Sequence, residues 1–283
     1  MPRRAAVALA VLVLAALPAR ATSLVAAEAV YGDIARQIGG DGLAVRSVLN
    51  NADSDPHLFE LTPGVARAVS AADIVVFNGI GYDPWMTALL RTGGGHEVLS
   101  VSALMARHAG DDPHLWFDPA AAPTLARALC DLLARRDPAG AGSYRTRRDA
   151  FLSSLQPLRA RIAALRTRTA GVPVAATEPV FDPMMRALDM DVRDTPFALA
   201  TMNDTEPSPA AVSALEEDLR HRRVRLFVFN SQAGSAAARR MVEIARQSGV
   251  PVLGVGETMP AGLDYQRWMI SVLDATERAL ATP

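Results

Sequence analysis

Residues 143–169 read Ser-Tyr-Arg-Thr-Arg-Arg-Asp-Ala-Phe-Leu-Ser-Ser-Leu-Gln-Pro-Leu-Arg-Ala-Arg-Ile-Ala-Ala-Leu-Arg-Thr-Arg-Thr. Phe151, Leu155, Leu158, Ile162 and Leu165 recur at intervals of 4, 3, 4 and 3, which is one apolar stripe of an α-helix. Arg145, Arg147, Arg148, Arg159, Arg161, Arg166 and Arg168 cover mostly the other faces. Pro157 predicts a kink, because it lacks an N–H and its ring crowds the preceding turn. A long one-striped helix in the middle of a chain predicts a strut between two units. A basic nucleic-acid helix is the competing reading, and the balanced charge of the chain opposes it.

The flanks of this helix show the same alternation twice. Before it, Leu24–Ala27, Val45–Leu49, Ile74–Phe77 and Val98–Val101 read as strands. Between them Tyr31–Ile38, Pro63–Ser70, Pro84–Arg91 and Pro119–Arg136 read as helices, several opening with Pro in the first turn. After Gly171, Val172–Ala176, Leu226–Phe229 and Val252–Val255 read as strands. Phe181–Leu188, Pro209–His221, Ala236–Ser248 and Tyr265–Leu280 read as helices. Strands alternating with helices imply parallel βαβ units. The expected fold is therefore α/β, two parallel-sheet lobes joined by a single long helix. The expected division is a signal peptide over 1–21, an N-terminal lobe over 22–137, a linking helix over 138–170 and a C-terminal lobe over 171–283.

The chain has 283 residues, 50% of them apolar, and a formal net charge of −1, which gives room for two domains and no basic surplus for a phosphate backbone. Every one of the 29 basic residues is Arg. Arg3 and Arg4 precede an apolar run from Ala5 to Leu17, followed by Pro18 and Ala19-Arg20-Ala21. That order is the form of an export signal cleaved after Ala21, and the run is too short for a bilayer span of ~20 residues. Cleavage leaves 262 residues with 26 basic and 30 acidic side chains. The mature chain is expected to be a soluble periplasmic monomer. The lone cysteine, Cys130, excludes an internal disulfide framework and any thiolate-rich metal site.

Five histidines are present, and two stand in one repeated tripeptide, Asp55-Pro56-His57 and Asp112-Pro113-His114. Imidazole is the commonest metal ligand near neutral pH; the plain alternative is a pair of loop turns whose histidines bond locally. In open α/β sheets ligands bind beyond the carboxyl ends of the strands. In the second half those ends carry Thr177-Glu178, Asn230-Ser231-Gln232 and Gly256-Glu257. His96, after three glycines, and His221, among arginines, are expected to be solvent-exposed, and His108 is a candidate auxiliary contact. No phosphate loop, nucleophile elbow or HExxH is present.

These motifs resemble one family, the metal-binding receptors of bacterial ABC importers for zinc, manganese and iron. The resembling pieces are Tyr31–Gly40, Asp55-Pro-His-Leu-Phe-Glu-Leu-Thr-Pro63, Ala72–Gly79, Asp112-Pro-His-Leu-Trp-Phe-Asp-Pro119, Glu206-Pro-Ser208 and Tyr265–Leu280. The resemblance implies a non-enzymatic receptor with His57, His114 and Glu178 as ligands and an ABC permease as partner. It places the fourth ligand near Glu257, where members usually have Asp, and it departs around Asn230, where many carry Glu. The cargo implied is one divalent ion, zinc or manganese before iron, with no resident cofactor and no nucleic acid. A zinc hydrolase and a receptor for haem or a metal chelate are the alternatives. The strut implies small lobe movements, and ligation by neutral histidine implies weaker binding below about pH 6.

Overall fold

The computed structural model describes residues 21–281; the export-signal run at Ala5–Leu17 lies outside them. In chain order the elements are β1 (Thr22–Glu28), α1 (Ala29–Gly39), β2 (Leu43–Leu49), α2 (Pro63–Ala71), β3 (Ile74–Phe77), α3 (Pro84–Thr92), β4 (Glu97–Ser100), α4 (Val101–Leu104) and α5 (Ala121–Arg136). Two connecting helices follow, α6 (Ala141–Ser154) and α7 (Gln156–Thr169). The second run is β5 (Pro173–Ala176), α8 (Asp182–Ala187), β6 (Asp191–Arg193), α9 (Thr195–Met202), α10 (Pro209–Arg220), β7 (Leu226–Asn230), α11 (Ala236–Gln247), β8 (Val252–Val255) and α12 (Tyr265–Ala281).

Two four-stranded parallel sheets form, ordered β2-β1-β3-β4 and β6-β5-β7-β8. The orders are the same topology used twice. Parallel strands need crossover helices, and most of the helix starts are written in the sequence. Thr62, Ser208 and Ser235 accept from the backbone N–H three residues on, capping α2, α10 and α11. Pro63, Pro84 and Pro209 occupy first turns, where a missing N–H leaves nothing unpaired. No helix among the described residues is long and apolar enough to cross a membrane.

The connecting helix is interrupted at Leu155, two residues before Pro157, and continues as α7 with that proline in its first turn. The predicted stripe faces inward: Phe151, Leu155, Leu158 and Leu165 are buried and Ile162 packs beside them. The break divides the labour, since α6 packs on α1 and α5 of the first lobe and α7 packs on α12 of the second. Arg161 bridges Asp274 and Glu277, and Arg168 also reaches Glu277, which clips α7 to α12. The start of α12 returns to the first lobe. Tyr265 N donates to Asp33 Oδ2 (2.9 Å), while the Gln37 and Gln266 amides bond each other in both directions. One apolar cluster runs from Leu24 and Ile74 through Leu129 and Leu158 to Val174, Met184 and Leu273, so the lobes share a core.

Three elements were not read from the sequence. The edge strand β6 is three residues, Asp-Val-Arg, with no apolar run to mark it. Helix α4 is a single turn, too short for a period. Helix α9 carries apolar side chains on all sides, so no stripe appears.

Candidate metal centre

Both Asp-Pro-His tripeptides fold by the same local rule. Asp55 Oδ1 accepts the His57 backbone N–H (2.8 Å) and Asp112 Oδ1 accepts that of His114 (3.0 Å). With the intervening proline fixing φ, each tripeptide is a rigid turn that presents its imidazole. The two turns follow β2 and β4, the outer strands of the first sheet. Asp112 does a second thing: its Oδ1 lies 2.9 Å from His114 Nδ1. That contact places the ring proton on Nδ1 and leaves Nε2 as the free lone pair.

The second lobe answers with carboxylates at strand ends. Glu178 follows β5 and Glu257 follows β8, and both are buried. Asn230, the last residue of β7, donates from Nδ2 to Glu178 Oε2 (3.1 Å) and Glu257 Oε1 (2.5 Å), holding the two acids side by side. His57 Nε2 is 3.2 Å from Glu257 Oε1, and His114 Nε2 is 3.7 Å from Glu257 Oε2. One ligand atom each from His57, Glu178 and Glu257 lies within 4.8 Å of the others. All four candidate side chains therefore converge between the lobes.

The polar accounting at this point is incomplete without a guest. His114 Nε2 and Glu257 Oε2 are buried, face each other, and have no hydrogen-bond partner. Buried polar atoms are ordinarily satisfied, because leaving one bare costs about 1–3 kcal/mol. Two inward-facing lone-pair atoms, an acid oxygen and an imidazole nitrogen, suit a divalent cation.

The electrostatics describe the same centre with protons in place of a metal. The hydrogen bond to Glu257, acting against burial, raises His57 to about 9. Burial pushes Glu257 up, but the bond from His57 and the fields of His114 and His57 outweigh it and bring it to about 2. Burial opposes a charge on His114; its bond to Asp112 and the nearby Glu257 still raise it. Burial raises Glu178, with the Asn230 bond opposing.

Tyr82 was not singled out in the sequence. Its ring stands edge-on to His57 (centroids 5.6 Å), His114 (6.2 Å) and Trp116 (4.8 Å), and its hydroxyl, turned toward Glu257, is one of the groups that lower that acid. The signal was the Asn78-Gly-Ile-Gly-Tyr82 turn. Gly79 has φ +86°, and a Cβ there would meet Ser102 Oγ at 2.2 Å, so the chain turns sharply off β3 and delivers Tyr82 inward. Asp83 fixes the turn by accepting from the Asn78 and Gly79 N–H groups.

The remaining histidines lie elsewhere. His96 is half-buried rather than solvent-exposed, because its Nδ1 contacts the Ala72 carbonyl (2.8 Å). His221 is exposed and pairs with Glu217. His108 is exposed and is not in the cluster that gathers His57, Glu178 and Glu257.

Comparison with known proteins agrees with this architecture. The chain is 30% identical over 140 residues to the manganese-binding lipoprotein MntA of Halalkalibacterium halodurans, covering 48% of this chain and about half (46%) of that protein. It is 24% identical over 247 residues to the metal ABC transporter substrate-binding lipoprotein SloC of Streptococcus mutans, covering 81% and 78%. The periplasmic zinc-binding protein TroA of Treponema pallidum superposes with a TM-score of 0.76 at 18% identity, over 92% of this chain and 99% of that one. The fold is thus that of the helix-linked metal receptors. The family model described as zinc-uptake complex component A, periplasmic, matches residues 24–279, and the chain belongs to that family.

Proposed function

We propose that this protein is an exported receptor that captures one divalent transition metal, zinc or manganese before iron, between its lobes and hands it to an ABC permease. His57 and His114 supply nitrogen, Glu178 and Glu257 supply oxygen. Two neutral imidazoles and two carboxylates cancel the charge of a dication, so the loaded site is cheap to bury. Nitrogen and oxygen donors without a thiolate suit zinc, manganese and iron, not copper(I). The observation that carries the reading is the pair of bare buried atoms, His114 Nε2 and Glu257 Oε2, 3.7 Å apart.

A hydrolase would need a general base beside metal-bound water. The acids nearest the histidines in sequence have other work: Asp55 caps the His57 turn and Asp112 orients His114. Glu206 is exposed. A chelate receptor would not need four convergent ligands, because a chelate arrives already coordinated. Metal analysis of the purified exported protein, with calorimetric titration of zinc and manganese, tests the proposal. One ion per chain is expected, with affinity lost in His57→Ala, Glu178→Ala and Glu257→Ala. Wild type that takes up neither metal overturns the function, and full affinity in Glu257→Ala removes that residue as fourth ligand.

A further inference from the structure

The segment that carries His57 is thinly anchored. Between β2 and α2 the residues Asn50, Asn51, Asp53, Ser54, His57, Leu58 and Glu60 are exposed, Leu58 at 77%. A groove of about 500 Å³ runs along it, lined by Asn50, Ser54, Pro56, Leu58 and, from the opposite lobe, Thr258. Phe59 against Trp85 is its apolar foothold in the first lobe. Two polar contacts tie it to the second lobe. One is His57 to Glu257, which a bound metal replaces. The other is Gln232, just beyond the end of β7.

The Gln232 side-chain amide uses its full capacity, its hydrogens across the cleft and its oxygen within its own lobe. Nε2 donates to the Ala52 carbonyl and to the Ser54 carbonyl, each at 2.9 Å. Oε1 accepts the Thr258 N–H at 2.9 Å and also that of Glu257. Its own backbone N–H donates to Asn230 Oδ1 (2.9 Å), the residue whose other end holds both carboxylates. A primary amide offers two hydrogens and two lone-pair directions. Here the hydrogens go to the loop of one candidate ligand and the oxygen to the loop of another.

We infer that Gln232 is a positioning residue, a clasp that holds the His57 loop against the Glu257 loop and sets how slowly the metal leaves. This rests on the receptor reading given above. Gln232 touches no metal; it acts by restraining the backbone on both sides of the ion, and it stays in place when the His57–Glu257 contact is replaced by coordination. Losing its two bonds to the loop opens the closed arrangement by roughly thirtyfold, which is two net hydrogen bonds of about 1 kcal/mol each.

Two substitutions of similar size separate the halves of the clasp. Gln232→Glu keeps oxygen acceptors for Glu257 and Thr258 but cannot donate to Ala52 and Ser54. Gln232→Met removes both halves. Hydrogen exchange of the metal-free protein should show faster exchange over residues 50–58 in both variants, and over 254–260 only in Gln232→Met. Stopped-flow transfer of zinc to a chelator should be roughly thirtyfold faster in both. Unchanged exchange over 50–58, or unchanged zinc release, overturns the clasp, as does exchange that rises equally in β1 and β3, which marks general loosening. If wild type holds no zinc, the receptor reading fails by itself, and exchange in the metal-free protein still decides whether Gln232 ties the loops.

Discussion

If the centre takes a metal as proposed, loading it expels a proton that the protein holds unusually tightly. In the metal-free state His57 is raised to about 9 by its bond to Glu257, and Glu257 is lowered to about 2. At pH 7 a group titrating near 9 is about 99% protonated, so neutral His57 is scarce by roughly a hundredfold. Water at the exposed edge of His57 screens the pair and reduces that factor. The signs differ for folding and for binding. Stability from the raised His57 is fully present below about 6.5 and lost as pH rises through about 9; stability from the lowered Glu257 is present above about 4.5 and lost as pH falls through about 2. Metal affinity moves the other way on the His57 limb, falling about tenfold per pH unit below 9. The expectation from an ordinary histidine, weakening below about pH 6, is therefore displaced upward by the pairing. Calorimetry of zinc binding in buffers of different ionisation heat at pH 7 counts the released protons. About one proton from His57 is expected, and the raised His114 adds to it. In metal-free Glu257→Gln the partner is gone, and an NMR titration should find His57 back toward 6.5, protonated at pH 7 to only about a quarter. No net proton release by wild type, or a His57 titration unchanged in Glu257→Gln, refutes this reasoning.

Three further outcomes follow from the same geometry. Asp112→Asn frees the His114 ring from its fixed tautomer, and metal affinity should drop about 10- to 100-fold with the fold intact, read by titration and circular dichroism. Leu165→Ala empties a fully buried position in α7 and should cost about 2–5 kcal/mol in denaturant unfolding. Crystal structures with and without metal should differ more in residues 50–62 than in lobe orientation, because α6, α7 and the start of α12 span both lobes; a large rigid-body closure contradicts this.

The sequence exposed what is periodic or local. The stripe from Phe151 to Leu165 announced the strut, and Pro157 announced a kink, where the structure has a break that divides the expected single helix between the lobes. The Asp-Pro-His repeat and the carboxylates at strand ends named the residues that converge. What stayed hidden depends on distance in the chain. Gln232 bonds to Ala52 and Ser54 about 180 residues away, and the return of α12 to Asp33 and Gln37 has no local signature. Tyr82 looked like one more aromatic after a glycine turn until the turn aimed it between two imidazoles. The upward shift of His57 was likewise invisible, because it requires Glu257 at 3.2 Å.

The central claim is that one metal ion sits among four named side chains contributed by both lobes. Anomalous diffraction at the metal edge, from crystals of the exported protein grown with zinc, tests it directly. The predicted result is one strong peak per chain within bonding distance of His57 Nε2, His114 Nε2 and the carboxylates of Glu178 and Glu257. A peak elsewhere, or none in this cleft, contradicts the account.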